Sequence, residues 1–440
     1  MRIIAKVGAA LQGLLGRCAE EVADTSGVIA RRRKFTSVSL AKTFILGFLQ
    51  HPEASDEQLA QMAVHCGAEV TAQAVDQRHT WKLVRFLEGL FRRAVQVVVG
   101  ADKVLAPVLE RFTDVTLLDS TTLTLPDGLA EQFPGCGGGR GGGAAGMKLQ
   151  SELDLRSGAL GWVEVESARS PDGATSRQYA TRPARSLRIT DLGYFNVAAF
   201  AAMVMVNAHF LSRLQFGTAV RRRTGEGVEL LPWLAQQPGS WIDQLILLGA
   251  KENLSCRLIA WRVPEEQANR RRQKLRQAIL RKRGQEPCAE RLAWCDWTIL
   301  VTSVPVELLT PQEAAVLYRA RWQVELLFKR WKKQDRVAVL SGSTEVRQMV
   351  RVWSRLLAAL LQHWLLVASA WGDPTKSLSK VCEAIRPFAV RLAASLACAT
   401  ALEQVLEALC LTINKTCRRN KRSKAGTFEL LNNAGLLDFC

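Results

Sequence analysis

Cysteine never falls here as C-x-x-C although there are eleven, and the five histidines include no H-x-x-x-H pair. Zinc ribbons and disulfide frameworks both need closer pairing, so the thiols read as reduced residues of a cytoplasmic protein and any metal must be held by oxygen. No run reaches the roughly 20 apolar residues of a bilayer span. The most apolar stretch, Leu356 to Trp371, carries Gln362 and His363 and reads as a buried helix. Residues Met1 to Ala30 lack the basic start, apolar centre and small-residue cleavage site of a secretory signal, so the expectation is a protein with no membrane partner. Acids are also in deficit: 41 Asp and Glu stand against 59 Lys and Arg, a net charge of +18 with a pI near 9.8. That surplus favours polyanions, nucleic acid first. With 48% hydrophobic and 23% charged residues over 440 positions, the composition is globular and long enough for two to four domains.

Residues from about 36 to 100 read as helical. Ser55 opens an apolar-periodic run through Leu59, Met62 and Ala63; Gly67 interrupts it, and a second run starts near Thr71. This resembles a helix-turn-helix, as would any two packed helices. Arg31, Arg32, Arg33 and Lys34 precede it as a basic arm would, and Trp81 to Val99 reads as a long helix.

The period then changes. Val115 to Leu118 is a short apolar run ending in Asp119-Ser120-Thr121, and a Gly-rich loop around Arg140 follows, which no Gly-Lys-Ser/Thr turns into a P-loop. Lys148 to Leu155 and Leu160 to Val165 predict a hairpin about Ser157-Gly158. A short helix over Thr175 to Thr181 and a strand over Leu187 to Thr190, ending in Asp191, come next. Strands are expected at Phe210–Phe216, Val228–Leu231, Trp241–Leu248, Cys256–Arg262 and Thr298–Thr302. Between the last two lies a basic helix, Pro264 to Arg283, holding eight Lys and Arg. It reads either as a solvated face or as a phosphate-contacting surface. The last hundred residues read as helical, with a basic cluster at Arg418, Arg419, Lys421, Arg422 and Lys424.

Residues 311 to 333 form one two-faced helix in this reading. With Tyr318 at zero and 100° per residue, Arg321, Glu325, Lys329 and Lys332 fall within a face about 80° wide. Val316, Ala320, Val324, Leu327 and Trp331 take the opposite side. One carboxylate among three cations and a phenol suits a place where metal and phosphate meet.

Tyr318–x2–Arg321–x3–Glu325–x6–Lys332 resembles the YREK signature of the bacterial insertion-sequence transposases in the family named for insertion sequence four. Leu117-Leu118-Asp119-Ser120-Thr121 and Ile189-Thr190-Asp191-Leu192-Gly193-Tyr194-Phe195 resemble that family's first- and second-Asp motifs, and Val301-Thr302-Ser303-Val304-Pro305 is also familiar. The resemblance covers roughly residues 110 to 335. It implies an α/β, RNase H-like core with a β-strand insertion domain, flanked by helical N- and C-terminal regions. The implied segments are 1–105 (DNA-binding), 106–197 and 306–345 (core), 198–305 (insertion) and 346–440 (helical). Asp119, Asp191 and Glu325 would hold Mg2+ or Mn2+, two ions, and catalyse DNA cleavage and strand transfer by a cut-and-paste route through hairpin ends.

The same likeness makes Tyr318, Arg321, Lys329, Lys332 and Arg213 DNA-binding residues and lets Trp297 stack on a flipped base. Trp294 is a rival for that role, and a core position is the plainer reading of Trp297. Double-stranded DNA, as terminal inverted repeats and target, is the implied partner, with a homodimer on the DNA. The rival readings are an RNase H-like nuclease or integrase without transposition, and a catalytically decayed DNA-binding protein. Asp114, Asp127, Asp154 and Asp172 read as structural acids.

Overall fold

The computed structural model describes residues 3–29, 34–102, 106–137, 144–337, 344–420 and 425–434. The Arg31–Arg33 part of the basic arm, Arg140 in its Gly-rich loop, and Lys421, Arg422 and Lys424 lie outside them. Six helices open the chain: α1 (Ile3–Gly13), α2 (Ala19–Ser26), α3 (Ser37–Gln50), α4 (Asp56–His65), α5 (Ala72–Asp76) and α6 (Trp81–Ala94). There follow α7 (Pro107–Glu110), β1 (Val115–Leu125), β2 (Ala145–Asp154), β3 (Leu160–Ser167), β4 (Leu187–Thr190), α8 (Val197–Met205), β5 (His209–Arg213), β6 (Val220–Arg222) and α9 (Leu230–Ala235). Next come β7 (Ile242–Leu248), β8 (Leu254–Arg262), α10 (Glu265–Arg283), α11 (Ala289–Ala293), β9 (Trp297–Thr302), α12 (Pro311–Ala320) and α13 (Trp322–Lys333). The chain closes with α14 (Glu345–Ala370), α15 (Leu378–Ile385), α16 (Ala389–Ser395), α17 (Ala399–Thr416) and α18 (Thr427–Asn432).

These elements form two compact units. The first comprises Met1–Leu105, Ser120–Ser170 and Gln323–Arg422; the second comprises Ala106–Asp119, Pro171–Trp322 and Ser423–Cys440. In the first, α14 is the central helix, packed by α3, α6, α15 and α17. It is long and apolar enough to cross a membrane by composition, but 89% of that window is buried by neighbouring helices. Burying a large apolar side chain contributes about 1.5–3 kcal/mol, and Trp353, Trp364, Phe44, Phe86 and Phe91 are all fully buried here. Ion pairs tie the N-terminal helices to α14: Arg347 binds Asp56 at 3.0 Å and also Asp76, and Asp56 accepts from His79 at 2.9 Å.

The β2–β3 hairpin belongs to the first unit and docks on the end of α14. His363 Nε2 meets Gly158 O at 2.8 Å, and the Trp371 indole N–H donates to Leu155 O at 3.3 Å. Burial pushes His363 down to about 4, so its ring is neutral at ordinary pH. In the second unit seven strands run in the order β1-β4-β5-β9-β8-β7-β6. β1, β4 and β5 are parallel, and the rest antiparallel. The expected β-rich insertion thus extends one sheet edge to edge. Its core joins Phe210, Leu258, Ile299 and Trp297 to Phe200 of α8, which stacks on Phe210 at 4.3 Å.

Several expectations are corrected. β1 does not stop at Asp119, because Leu123 and Leu125 continue the period-2 burial. In place of the helix expected over 175–181, Ser176–Tyr179 forms a 3-10 turn, with the Thr175 hydroxyl accepting from Arg177 N–H. Val228–Leu231 leads into α9 because Pro232 cannot donate to a ladder but is tolerated in a first helical turn. β6 went unseen, and α6 stops at Ala94 rather than Val99. Of the candidate helix-turn-helix, α4 has its Ser55 cap and the Gly67 turn at φ +80°, but α5 has five residues. The 311–333 helix is interrupted at Arg321, whose N–H bonds Tyr318 O in an i→i−3 turn.

Gly158 sits at φ +72°, where an added Cβ would also run into the Trp371 ring. Left-handed backbone costs an ordinary residue about 1–3 kcal/mol. Gly158→Ala is therefore expected to lower Tm by several degrees in thermal unfolding; an unchanged Tm would mean that the hairpin is not held on α14 as described.

Candidate active site

The site in the second unit begins with strand register. Leu118 of β1 pairs with Thr190 of β4, and Thr190 pairs with Ser212 of β5, all parallel. Asp119, Asp191 and Arg213 each stand one residue beyond those pairs, so they share a level and a face where β4 and β5 end and the pairing of β1 with β4 stops, β1 itself running on to Leu125. Ligand sites of open α/β sheets form at such strand ends. Leu118, Thr190 and Ser212 point the other way, and Leu117, Ile189 and Leu211 below the acids on their own face are equally buried, so the acids stand where a buried sheet layer ends.

Arg321 joins the two acids. Its Nη1 lies 3.1 Å from Asp119 Oδ2 and 4.0 Å from Asp191 Oδ2. The side chains of Arg321 and Asp119 are each 14% exposed, and that of Asp191 is 42% exposed. The guanidinium also lies over the Tyr318 ring, 5.9 Å from its centroid. The Tyr318 hydroxyl is buried, with no well-formed hydrogen bond among the described residues. Burial first, then the charge of Asp191, push its phenol up to about 12, against the opposing pull of Arg321 and Arg213.

Two features hold Arg321 in place. Thr310 caps α12 in a box with Glu313, and Glu313 also takes both nitrogens of the Arg111 fork at 2.8 and 2.9 Å. Buried Arg257 of β8 donates to Val304 O at 2.8 Å and Leu309 O at 2.9 Å, pinning the segment that enters α12, and is itself paired with Asp243. Arg257 was not foreseen, since it reads as an ordinary alternating position of a strand.

The remaining candidates divide as follows. Glu325, Lys329 and Lys332 lie on α13 in the first unit, where Lys329 is exposed, Glu325 is part-buried and burial lowers Lys332 from its ordinary value. The opposite side, Val324, Leu327 and Trp331, is buried as expected. Trp297 is 6% exposed within the apolar cluster and has Arg262 over its ring at 4.8 Å, which is a core position. Trp294 is part-buried against Phe216 at 5.3 Å. Of the acids read as structural, Asp114 meets Arg182 at 3.4 Å, Asp127 accepts from Ala144 N at 2.9 Å and Asp154 accepts from the Ser157 turn, whereas the cap of the turn after Asp172 is Thr175.

Among the described residues no three His, Cys, Asp or Glu side chains form a ready-made metal cluster. The Asp119–Asp191 pair nevertheless fits a hard divalent cation by its donor chemistry: two carboxylates at adjacent strand ends already share one positive group.

Tyr318 supplies a pH test. Its folded pKa lies above the unfolded value of about 10, so its contribution to stability is complete below pH 10 and is lost as pH rises toward 12. Tyr318→Phe is therefore expected to remove one ionisation step near pH 12 from an ultraviolet titration of the folded protein. A titration curve unchanged in the variant would contradict the buried hydroxyl.

Residues 110–361, more than half of the chain, match the family model described as Transposase DDE domain. The chain is 26% identical over 370 residues to the transposase for insertion sequence element IS231B of Bacillus thuringiensis subsp. berliner, covering 78% of this chain and 75% of that one. It is 24% identical over 323 residues to the transposase for IS1151 of Clostridium perfringens, covering 68% and 67%. A putative transposase for IS186A of Escherichia coli is 27% identical over 249 residues, 54% of this chain and 64% of that one. With the acids at the strand ends and this match across the segment that carries them, the chain belongs to the family of DDE transposases of insertion sequences.

Proposed function

We propose that this chain cleaves transposon-end DNA and transfers the freed strand into a target, with Asp119, Asp191 and Glu325 as the acidic residues. The observation that carries this reading is the in-register placement of Asp119 and Asp191 with Arg321 between them. An RNase H-like core is supported by the strand order β3-β2-β1-β4-β5, with the first Asp on the first strand and the second just after the fourth. Glu325 joins the acids through the YREK resemblance. Together they would hold Mg2+ or Mn2+, two ions, which when bound supply an activated water or 3′-hydroxyl and stabilise charge at phosphorus and on the leaving oxygen.

The chain's own residues do the rest. The Arg321 fork matches two phosphate oxygens. Tyr318, kept protonated well above neutral pH, donates from its phenol. Arg213, whose side chain makes no hydrogen bond or ion pair among the described residues, stands at the same strand level as the acids and adds a third donor. Lys332 supplies a half-buried ammonium whose desolvation an incoming phosphate would repay. Trp294, less buried than Trp297, is the better placed of the two to meet an unstacked base. Terminal inverted repeats and target duplex are the DNA partners, the N-terminal helices read the repeats, and a homodimer assembles on them.

The test is cleavage of duplex DNA carrying the element's terminal inverted repeats, with Mg2+ or Mn2+, comparing wild type with Asp119→Asn and Glu325→Gln. Each variant should bind the ends but lose cleavage by more than about 100-fold, beyond the 10–100-fold typical of residues that only support metal ligands. Wild-type protein that binds these ends and cuts in neither metal would replace this reading with a DNA-binding one. Cutting without joining of pre-cleaved ends would make the chain a nuclease.

A further inference from the structure

Helix α10 spans 19 residues and buries only Ala268. A helix this polar gains little from packing and needs another reason to persist. Its first half has one: Arg271 donates to Trp297 O at 3.0 Å and Thr298 Oγ1 at 3.1 Å, and Arg272 pairs with Asp296 and Glu265. These bonds fasten it to β9, the strand paired with β5 through Arg213–Leu300. Arg213 is close enough to Arg271 to lower its pKa further, after burial.

The second half has no such partners. After Glu266 the helix carries no acid. Lys274, Arg281, Lys282 and Arg283 make no hydrogen bond or ion pair among the described residues, and Arg276 reaches only Glu286 at 3.5 Å. Cations in a last turn do complement the helix dipole, worth about 0.3–1 kcal/mol each, which accounts for Arg281 to Arg283 in part. It does not account for the stripe. At 100° per residue, Arg270, Lys274 and Arg281 fall within about 40° of one another, on the side away from Ala268, with Gln277 beside them. All four are exposed. The stripe is about 16 Å long, close to five base-pair rises of one DNA strand. Like charges at i,i+4, as at Arg270 and Lys274, destabilise a helix slightly in water.

We propose that this outward stripe of α10 docks the sugar-phosphate backbone of duplex DNA, continuing a cationic track that starts at Arg321 and Arg213. The proposal rests on the DNA-cleaving function above and adds a surface to it. Contacts of this kind carry no sequence information; they position the duplex and make binding salt-dependent.

The experiment measures affinity for a duplex carrying one terminal repeat, and for an unrelated duplex, by fluorescence anisotropy at several salt concentrations. The combined variant Arg270→Gln, Lys274→Gln, Arg281→Gln should bind both more weakly, with a log–log salt slope shallower by about 2–3, roughly 0.9 per lost phosphate contact. Arg276→Gln with Arg283→Gln, on another side of the helix, should leave the slope nearly unchanged. Lys274→Gln alone, expected to change the slope by about one contact, keeps the test open should the triple variant misfold by circular dichroism. An unchanged slope in folded variants, or an equal fall in both sets, overturns the proposal; the first result would leave the stripe to an acidic protein or to solvent. Wild type that binds but never cuts defeats the catalytic reading alone, because the slopes still decide this one.

Discussion

Two carboxylates at the same level of neighbouring parallel strands sit on backbones about 4.8 Å apart. At an effective dielectric constant near 20, like charges at about 5 Å repel by about 3 kcal/mol. The sheet register enforces that proximity at Asp119 and Asp191, because β1, β4 and β5 pair in parallel register and are buried on both faces up to the level of the acids. Solvent at the half-exposed Asp191 screens part of this repulsion, and Arg321 between the acids offsets more of it. The helix break at Arg321, the cap at Thr310 and the Arg257 clamp all bear on this one guanidinium.

Arginine here does two jobs that net charge cannot separate. Arg188 is fully buried and donates to the carbonyls of Arg177 and Gln178; Arg257 and Arg271 do likewise for the segments around β8 and β9. Each is a staple that donates to backbone carbonyls of a neighbouring segment. The excess of +18 thus overstates the charge offered to a polyanion, and the exposed fraction is concentrated where residues such as Lys274 and Arg281 have no protein partner.

Much of this was legible. The strand ends at Asp191 and the hairpin about Gly158 follow from period-2 runs bounded by turn residues, and α10 from Pro264 and Gly284 at its two ends. The three acids stand out because each sits in a recognisable local string, and the strands bring Asp119 and Asp191 to one level. Register was not readable, since nothing local says that residue 118 will pair with 190 and 190 with 212. Neither was the Arg321–Asp119 bond, which joins residues 202 apart in the chain. The continuous 311–333 helix failed for the same reason: 100° periodicity describes a helix left to itself, and this one is interrupted at the residue that answers to a distant carboxylate. Trp297, offered for base stacking by family likeness with a core position as its plainer reading, closes the apolar cluster that holds its strand.

Arg321 can face the carboxylates or a phosphate, but its single charge cannot serve both in full. While it lies between Asp119 and Asp191, it satisfies the acids and is withheld from an anion. A phosphate that draws it away leaves two carboxylates facing each other, which raises their affinity for any other cation. A cation that neutralises the acids releases the guanidinium and so raises the affinity for phosphate. Two such effects are one coupling free energy seen from either side, and they must be equal. Under the proposed function, a site built on one shared guanidinium favours two states, closed on itself or loaded with both cation and phosphate, over the half-loaded ones.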